Sequence, residues 1–134
     1  LSKNAWLSSD PQSVMRYDAD PLSGQTVTLG FFHELLHATK LVNALASIYQ
    51  HPRHLPLLLL AGGDDPVAFD GKGIHHLFDM YNRVRVDAVQ LTIYRGLRHE
   101  LFHEFERIRV FADIASWLNK QVNPAAKQSS SRSS

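Results

Sequence analysis

Apolar positions along this chain change period several times, and each change marks an element. Residues 1–27 sustain no period, which predicts a loop-rich stretch holding one short helix. Asp10 is placed to N-cap that helix with Pro11 at its first position, and Pro21 restricts Asp20 to extended backbone, so the helix ends near "DADP". From about Val27 to Tyr49, Phe31, Leu35, Ala38, Val42 and Leu45 recur at helical spacing, predicting one long helix stopped by "QHPRHLP". The run "LPLLLLAGG" suits a strand buried on both faces, with Asp64 and Asp65 just past its carboxyl end. "GKGIHHLFDMYNRVR" then places Ile74, Leu77, Phe78 and Tyr81 on one helical face. In "VDAVQLTIY" apolar residues alternate from position 86 to 93, apart from Asp87 and Ala88, as in a second strand. After a turn at "RGLR" comes a closing helix whose stripe reads Leu101, Phe105, Ile108, Phe111 or Ala112, Ala115 and Leu118, followed by a solvated tail, "KQSSSRSS".

Strand, helix, strand, helix after a helical leading region is the order of an α/β parallel sheet, and no internal repeat interrupts it. Two strands alone leave two open edges and cannot cover the flanking helices, so the chain is expected to be one end of a larger sheet. Composition narrows the class without changing it. With 134 residues, 44% apolar and 20% charged, the chain reads as one globular unit, and a net charge of +1 without a block of like charge argues against a nucleic-acid partner. There is no Cys, so any metal would need His and carboxylate ligands. No apolar run is long enough to cross a bilayer and no signal-peptide pattern is visible, which leaves the cytoplasm as the expected location. The first residue is Leu rather than Met, so an upstream part carrying some other address is compatible with this reading.

Two stretches, "HELLH" at 33–37 and "HELFH" at 99–103, match H-E-x-x-H, the spelling that sets two His one helical turn apart on zinc with Glu as general base. Neither has what a zinc peptidase needs. After His37 the chain runs "ATKLVN", without the Gly and third His of the extended motif, and no Glu lies between Glu34 and Glu100 to serve as third ligand. In the second copy His99 falls at or before a helix start, while His103 shares a face with Glu104 and Arg107, opposite Leu101 and Phe105, so the two imidazoles should diverge. Ordinary helix residues are the better reading of His33 and His37, and likewise of His75 and His76. No metal and no cofactor is expected.

In open α/β sheets functional groups gather beyond the carboxyl ends of the strands. Asp65 stands just past the first strand and His99 just past the second, so neighbouring parallel strands would bring a carboxylate and an imidazole together. An Asp that fixes the tautomer of a His is two thirds of a nucleophilic triad, and Asp before His is the chain order of α/β-hydrolases. Here "LLLLAGGDDPVAFDGKG" followed by "YRGLRHELFHEFERIRVFADIASWL" resembles the C-terminal part of the monoacylglycerol lipase and lysophospholipase group of α/β-hydrolases, which includes serine aminopeptidase-like proteins. The resemblance implies that Asp65, in its "DPV" stretch, and His99, in its "RHE" stretch, are the triad acid and base. Asp64 is the competing acid, but Asp65 directly precedes Pro66, as the group's pattern has it. The leading stretch "WLSSDPQSVMRYDADPLSGQTVTLGFFHELL" is similar to the group's cap segment.

The resemblance thus implies an α/β fold made of the last two parallel strands of an α/β-hydrolase with flanking helices, preceded by a helical cap segment. It divides into 1–50 as cap and connecting helix, 51–122 as core, and 123–134 as a disordered tail. It also makes "HELFH" a coincidence of a catalytic His preceding Glu near a helix start. Trp6, Leu7, Phe31, Phe32 and Leu36 are candidates to line an acyl-chain channel, and a lipid-like or small ester is the implied substrate.

One departure is severe. No G-x-S-x-G occurs, and no Gly-rich oxyanion loop, so the chain alone is expected not to hydrolyse esters. The expected partner is an N-terminal half bearing the nucleophile. A non-catalytic module that dimerises through its open sheet edges is the competing reading.

Overall fold

The computed structural model describes residues 2–123. Helix α1 (Pro11–Ala19) begins where Asp10 accepts a hydrogen bond from the Gln12 N–H at 2.9 Å, with Pro11 in the first turn, as the sequence predicts. Helix α2 (Leu29–Val42) is capped by Thr28, whose hydroxyl accepts from the Phe31 N–H at 3.1 Å. The single long helix predicted to reach Tyr49 is in fact two. Asn43 ends α2, its side-chain amide donating to the Thr39 carbonyl at 2.8 Å, and after an extended Ala44 a short helix α3 (Leu45–Ile48) follows. An Asn whose amide folds back on the preceding turn competes with helix continuation, which periodicity alone does not register.

Strand β1 (Leu57–Gly62) is followed by α4 (Lys72–Arg83) and then by β2 (Val89–Tyr94), which pairs with β1 in parallel, Leu57 opposite Val89 and Gly62 opposite Tyr94. The second strand begins three residues later than position 86, although Val86 is buried all the same. Because strand side chains alternate, the two faces of this pair build two clusters. On one face Leu57 and Val89 pack with Ile48, Val84, Val86 and with Leu77, Met80 and Tyr81 around α4. On the other, Leu60 and Tyr94 pack with Leu97, Leu101, Val110 and Ile114. The helix on that side is α5 (Arg107–Val122). Burial and then a 2.9 Å hydrogen bond to Asp113 push the Tyr94 phenol up to about 12, so it donates to that carboxylate and ties β2 to α5 at neutral pH.

Two expectations about burial are corrected. Leu57 to Leu60 of β1 are only half-buried, in a two-stranded sheet neither of whose edges has a neighbouring strand among the described residues. The stripe assigned to the closing helix is wrong: Phe105, Ile108, Phe111 and Leu118 are exposed, while Val110 is buried and Ile114, Trp117 and Gln121 are half-buried. The physical reason is a loss of phase. Leu101 belongs to a separate 3-10 turn (Leu101–His103), Glu104 is extended, and the helix starts at Arg107, so a repeat counted from Leu101 points to the wrong side. Helix α2 buries none of its residues, and Phe31, Phe32, Leu35 and Leu36 lie exposed. Of the chain's last twelve residues only Asn123 is described, so the predicted tail lies almost wholly outside the described residues.

Candidate active site

The loops after β1 and β2 meet because Gly62 ends the first strand. A Cβ there would stand 2.2 Å from the Arg98 carbonyl oxygen and 2.4 Å from that of Leu97, so only Gly lets the loop after β2 cross this closely. The crossing is fastened by the Asp64 N–H donating to the Leu97 carbonyl at 2.9 Å and the Gly63 N–H donating to that of Tyr94 at 2.8 Å. Gly96 turns the second loop at a φ of +79°.

These turns deliver Asp65 and His99 to each other. His99 Nδ1 lies 3.0 Å from Asp65 Oδ2. The Asp65 side chain is 8% exposed and the His99 side chain 40%, so the acid is enclosed and the imidazole reaches the surface. Asp65 is itself fixed: its Oδ1 accepts from the Val67 N–H at 2.8 Å, and its carbonyl accepts from the Asp70 N–H at 3.0 Å. The loop that does this holds Phe69 and Asp70 at a φ of 52° each, left-handed backbone that non-Gly residues seldom adopt and that tends to occur at functional sites. An ionised carboxylate can only accept, so Nδ1 carries the proton and Nε2 keeps its lone pair. That is the tautomer an acid–base histidine needs.

Asp64 does otherwise. Its Oδ1 accepts only a 3.4 Å contact from the Gly96 N–H, a turn-forming role at the surface. His103 pairs with Glu100 at 3.2 Å while His99 pairs with Asp65, so the imidazoles of "HELFH" serve different carboxylates. The rings of His33 and His37 stack 6.5 Å apart on the exposed α2, and among the described residues they are part of no group of three side chains placed to hold a metal ion.

Beside His99 lies a cleft of 380 Å³ lined by Leu60, His99, Glu100, Leu101, Phe102 and His103. The predicted channel residues are scattered relative to it. Trp6 packs its indole on the His99 ring, with centroids 5.1 Å apart and planes 49° tilted. Leu7 is buried, with its carbonyl accepting from the Glu100 N–H at 2.7 Å. Phe31 and Phe32 meet edge to face on α2, centroids 5.9 Å apart, and Leu36 is exposed. Sequence reasoning missed Glu104, fully buried at the foot of the His99 loop, and Arg98, whose guanidinium donates to the Ala5 carbonyl. No local signal marked Glu104: a repeat counted from Leu101 puts it on an outward face, and it turns inward because the helix starts only at Arg107.

A parallel strand pair with a carboxylate past the first strand, an imidazole past the second and a hydrogen bond between them is the C-terminal part of an α/β-hydrolase. Comparison with known proteins agrees. The family model for serine aminopeptidase, S33, matches residues 1–106, and the chain belongs to that family. A monoacylglycerol lipase of Mycolicibacterium smegmatis is 31% identical over 113 residues, which cover 84% of this chain and 38% of that protein. Among solved structures, a highly thermostable carboxyl esterase from Bacillus coagulans in complex with glycerol superposes with a TM-score of 0.80 at 25% identity, covering 88% of this chain and 39% of the esterase. A lipase in its open form matches with a TM-score of 0.80 at 25% identity over 92% of this chain and 41% of the lipase. The chain thus spans about two fifths of the length of these relatives. Among the described residues no helix is long and apolar enough to cross a membrane.

Proposed function

We propose that these residues supply the acid–base pair of a serine hydrolase acting on carboxylic esters of the monoacylglycerol lipase or lysophospholipase type, and that the nucleophilic Ser comes from a stretch outside them. The observation that carries this is the 3.0 Å contact between Asp65 Oδ2 and His99 Nδ1 at the carboxyl ends of two parallel strands. Support for the ester class comes from the relatives, a monoacylglycerol lipase, a carboxyl esterase and a lipase. The apolar side chains of Leu60, Leu101 and Phe102 beside His99 suit an acyl group better than a charged one.

In this reading His99 Nε2 takes the proton of the Ser hydroxyl as it attacks the ester carbonyl, and the imidazolium then returns a proton to the departing alcohol. Asp65 keeps Nδ1–H oriented and stabilises the charge that forms on the ring, without itself becoming protonated. Water enters in the second half-reaction by the same base. The nucleophile and the oxyanion donors carry much of the acceleration in such enzymes, so the Asp65–His99 pair alone has little to act with. The 134 residues alone should therefore turn over neither a monoacylglycerol nor a short-chain nitrophenyl ester. A longer protein that adds a G-x-S-x-G segment should turn over both. Measuring release of fatty acid and nitrophenol from the two side by side tests this. Turnover by the 134 residues alone, or none by the longer protein, would sink the proposal.

A further inference from the structure

Glu104 is fully buried, yet it plays no part in the chemistry above. Its Oε1 accepts from the Arg98 N–H at 2.6 Å, and its Oε2 accepts from the Ser9 N–H at 2.9 Å and from the Ser9 hydroxyl. The Ser8 hydroxyl adds a shared proton, 3.1 Å from Oε2 and 2.9 Å from the His103 carbonyl. Every one of these partners is a neutral donor, and among the described residues no Lys, Arg or His side chain forms an ion pair with Glu104. A buried charge of this kind is costly unless its acceptor sites are filled, and an ionised carboxylate is the acceptor-only group that several converging donors require.

The donors come from two places that matter. Arg98 is the residue before His99. Ser8 and Ser9 belong to a strap, residues 5–9, that lies along the His99 loop: the Ala5 carbonyl accepts from the Arg98 guanidinium, the Leu7 carbonyl accepts from the Glu100 N–H, and Trp6 between them covers the His99 ring. Glu104 bonds both to the strap, through Ser8 and Ser9, and to the backbone N–H of the residue before His99. We infer that Glu104 is a positioning residue: its carboxylate clasps the strap to the His99 loop, and so sets the pose of the imidazole and of the indole that covers it.

The inference rests on His99 as the acid–base group, and its test has one readout that does not. A protonated imidazole in contact with an indole quenches its fluorescence, so the part of the emission that Trp6→Phe removes should rise in a step as His99 loses its proton. The experiment compares wild type, Glu104→Gln and Ser9→Ala in the longest natural chain that contains these residues, by circular dichroism, by Trp6 emission against pH, and by kcat and KM on an ester. Gln places an amide donor against the donors of Ser9 and Arg98, whereas Ser9→Ala removes one strap hydroxyl and leaves Glu104 in place. Folded Glu104→Gln should lose most of the emission step and drop kcat on the order of tenfold to a hundredfold with little change in KM, as a displaced acid–base group does. Ser9→Ala should do the same in smaller measure and keeps the test open if the Gln variant does not fold. A variant that is merely less stable, with the wild-type emission step and kcat, would overturn the inference. Should activity prove independent of His99, the emission step still decides whether Glu104 holds the strap.

Discussion

Replacing His99 by Gln in the proposed longer hydrolase is expected to lower kcat on the order of a millionfold, the loss that follows removal of the base from a nucleophilic triad. The expectation comes from geometry. Nδ1 is committed to Asp65 at 3.0 Å, so the ring presents Nε2 to a reacting hydroxyl, and among the described residues no other imidazole contacts Asp65. His103, the nearest in sequence, is turned to Glu100. Gln fills much the same space but cannot take up a proton near neutral pH, so binding should survive while chemistry fails. Steady-state kinetics on a monoacylglycerol would read this as a collapse of kcat with KM within a few-fold of wild type. Activity within tenfold of wild type would remove His99 from the mechanism.

Asp65→Asn should cost less, on the order of 10³ to 10⁴ in kcat. The Asn amide would turn an N–H toward Nδ1, reverse the tautomer and put a proton on Nε2, the atom that must accept one. The shape of the site would be kept, because the Asn carbonyl oxygen can still accept from the Val67 N–H as Asp65 Oδ1 does at 2.8 Å. Asp64→Asn is the matched control, since Asp64 only receives the 3.4 Å contact from Gly96. It should alter kcat less than threefold, a threshold set by a modest loss of about 0.6 kcal/mol. Equal effects of the two substitutions would reassign the acid.

The strands, the crossover helix between them and the Asp65–His99 pair were legible in the sequence because short apolar runs closed by Gly mark strand ends, and strand ends are where such groups collect. Asp10 and Pro11 were legible for a similar reason, the capping chemistry being local. The illegible parts depend on contacts between distant segments. Asn43 breaks the long predicted helix through its own side chain, which hydrophobic period does not weigh. The closing helix was assigned the wrong inner face because the turn at Leu101–His103 and the extended Glu104 reset its phase. Glu104 and Ser9 are separated by 95 residues, and nothing local in either stretch announces that they bond. The placement of Trp6 was hidden with it, so Trp6, read as a channel residue, is found against the His99 ring.

Fluorophosphonate labelling bears most directly on the central claim, that Asp65 and His99 activate a Ser. The folded longer protein would be treated with the probe and its intact mass and tagged peptide read for wild type and His99→Gln. The account predicts one adduct on wild type, on a Ser outside these 134 residues, formed far more slowly or not at all once His99 is gone. An untagged wild type, or equal tagging of the two proteins, would contradict it.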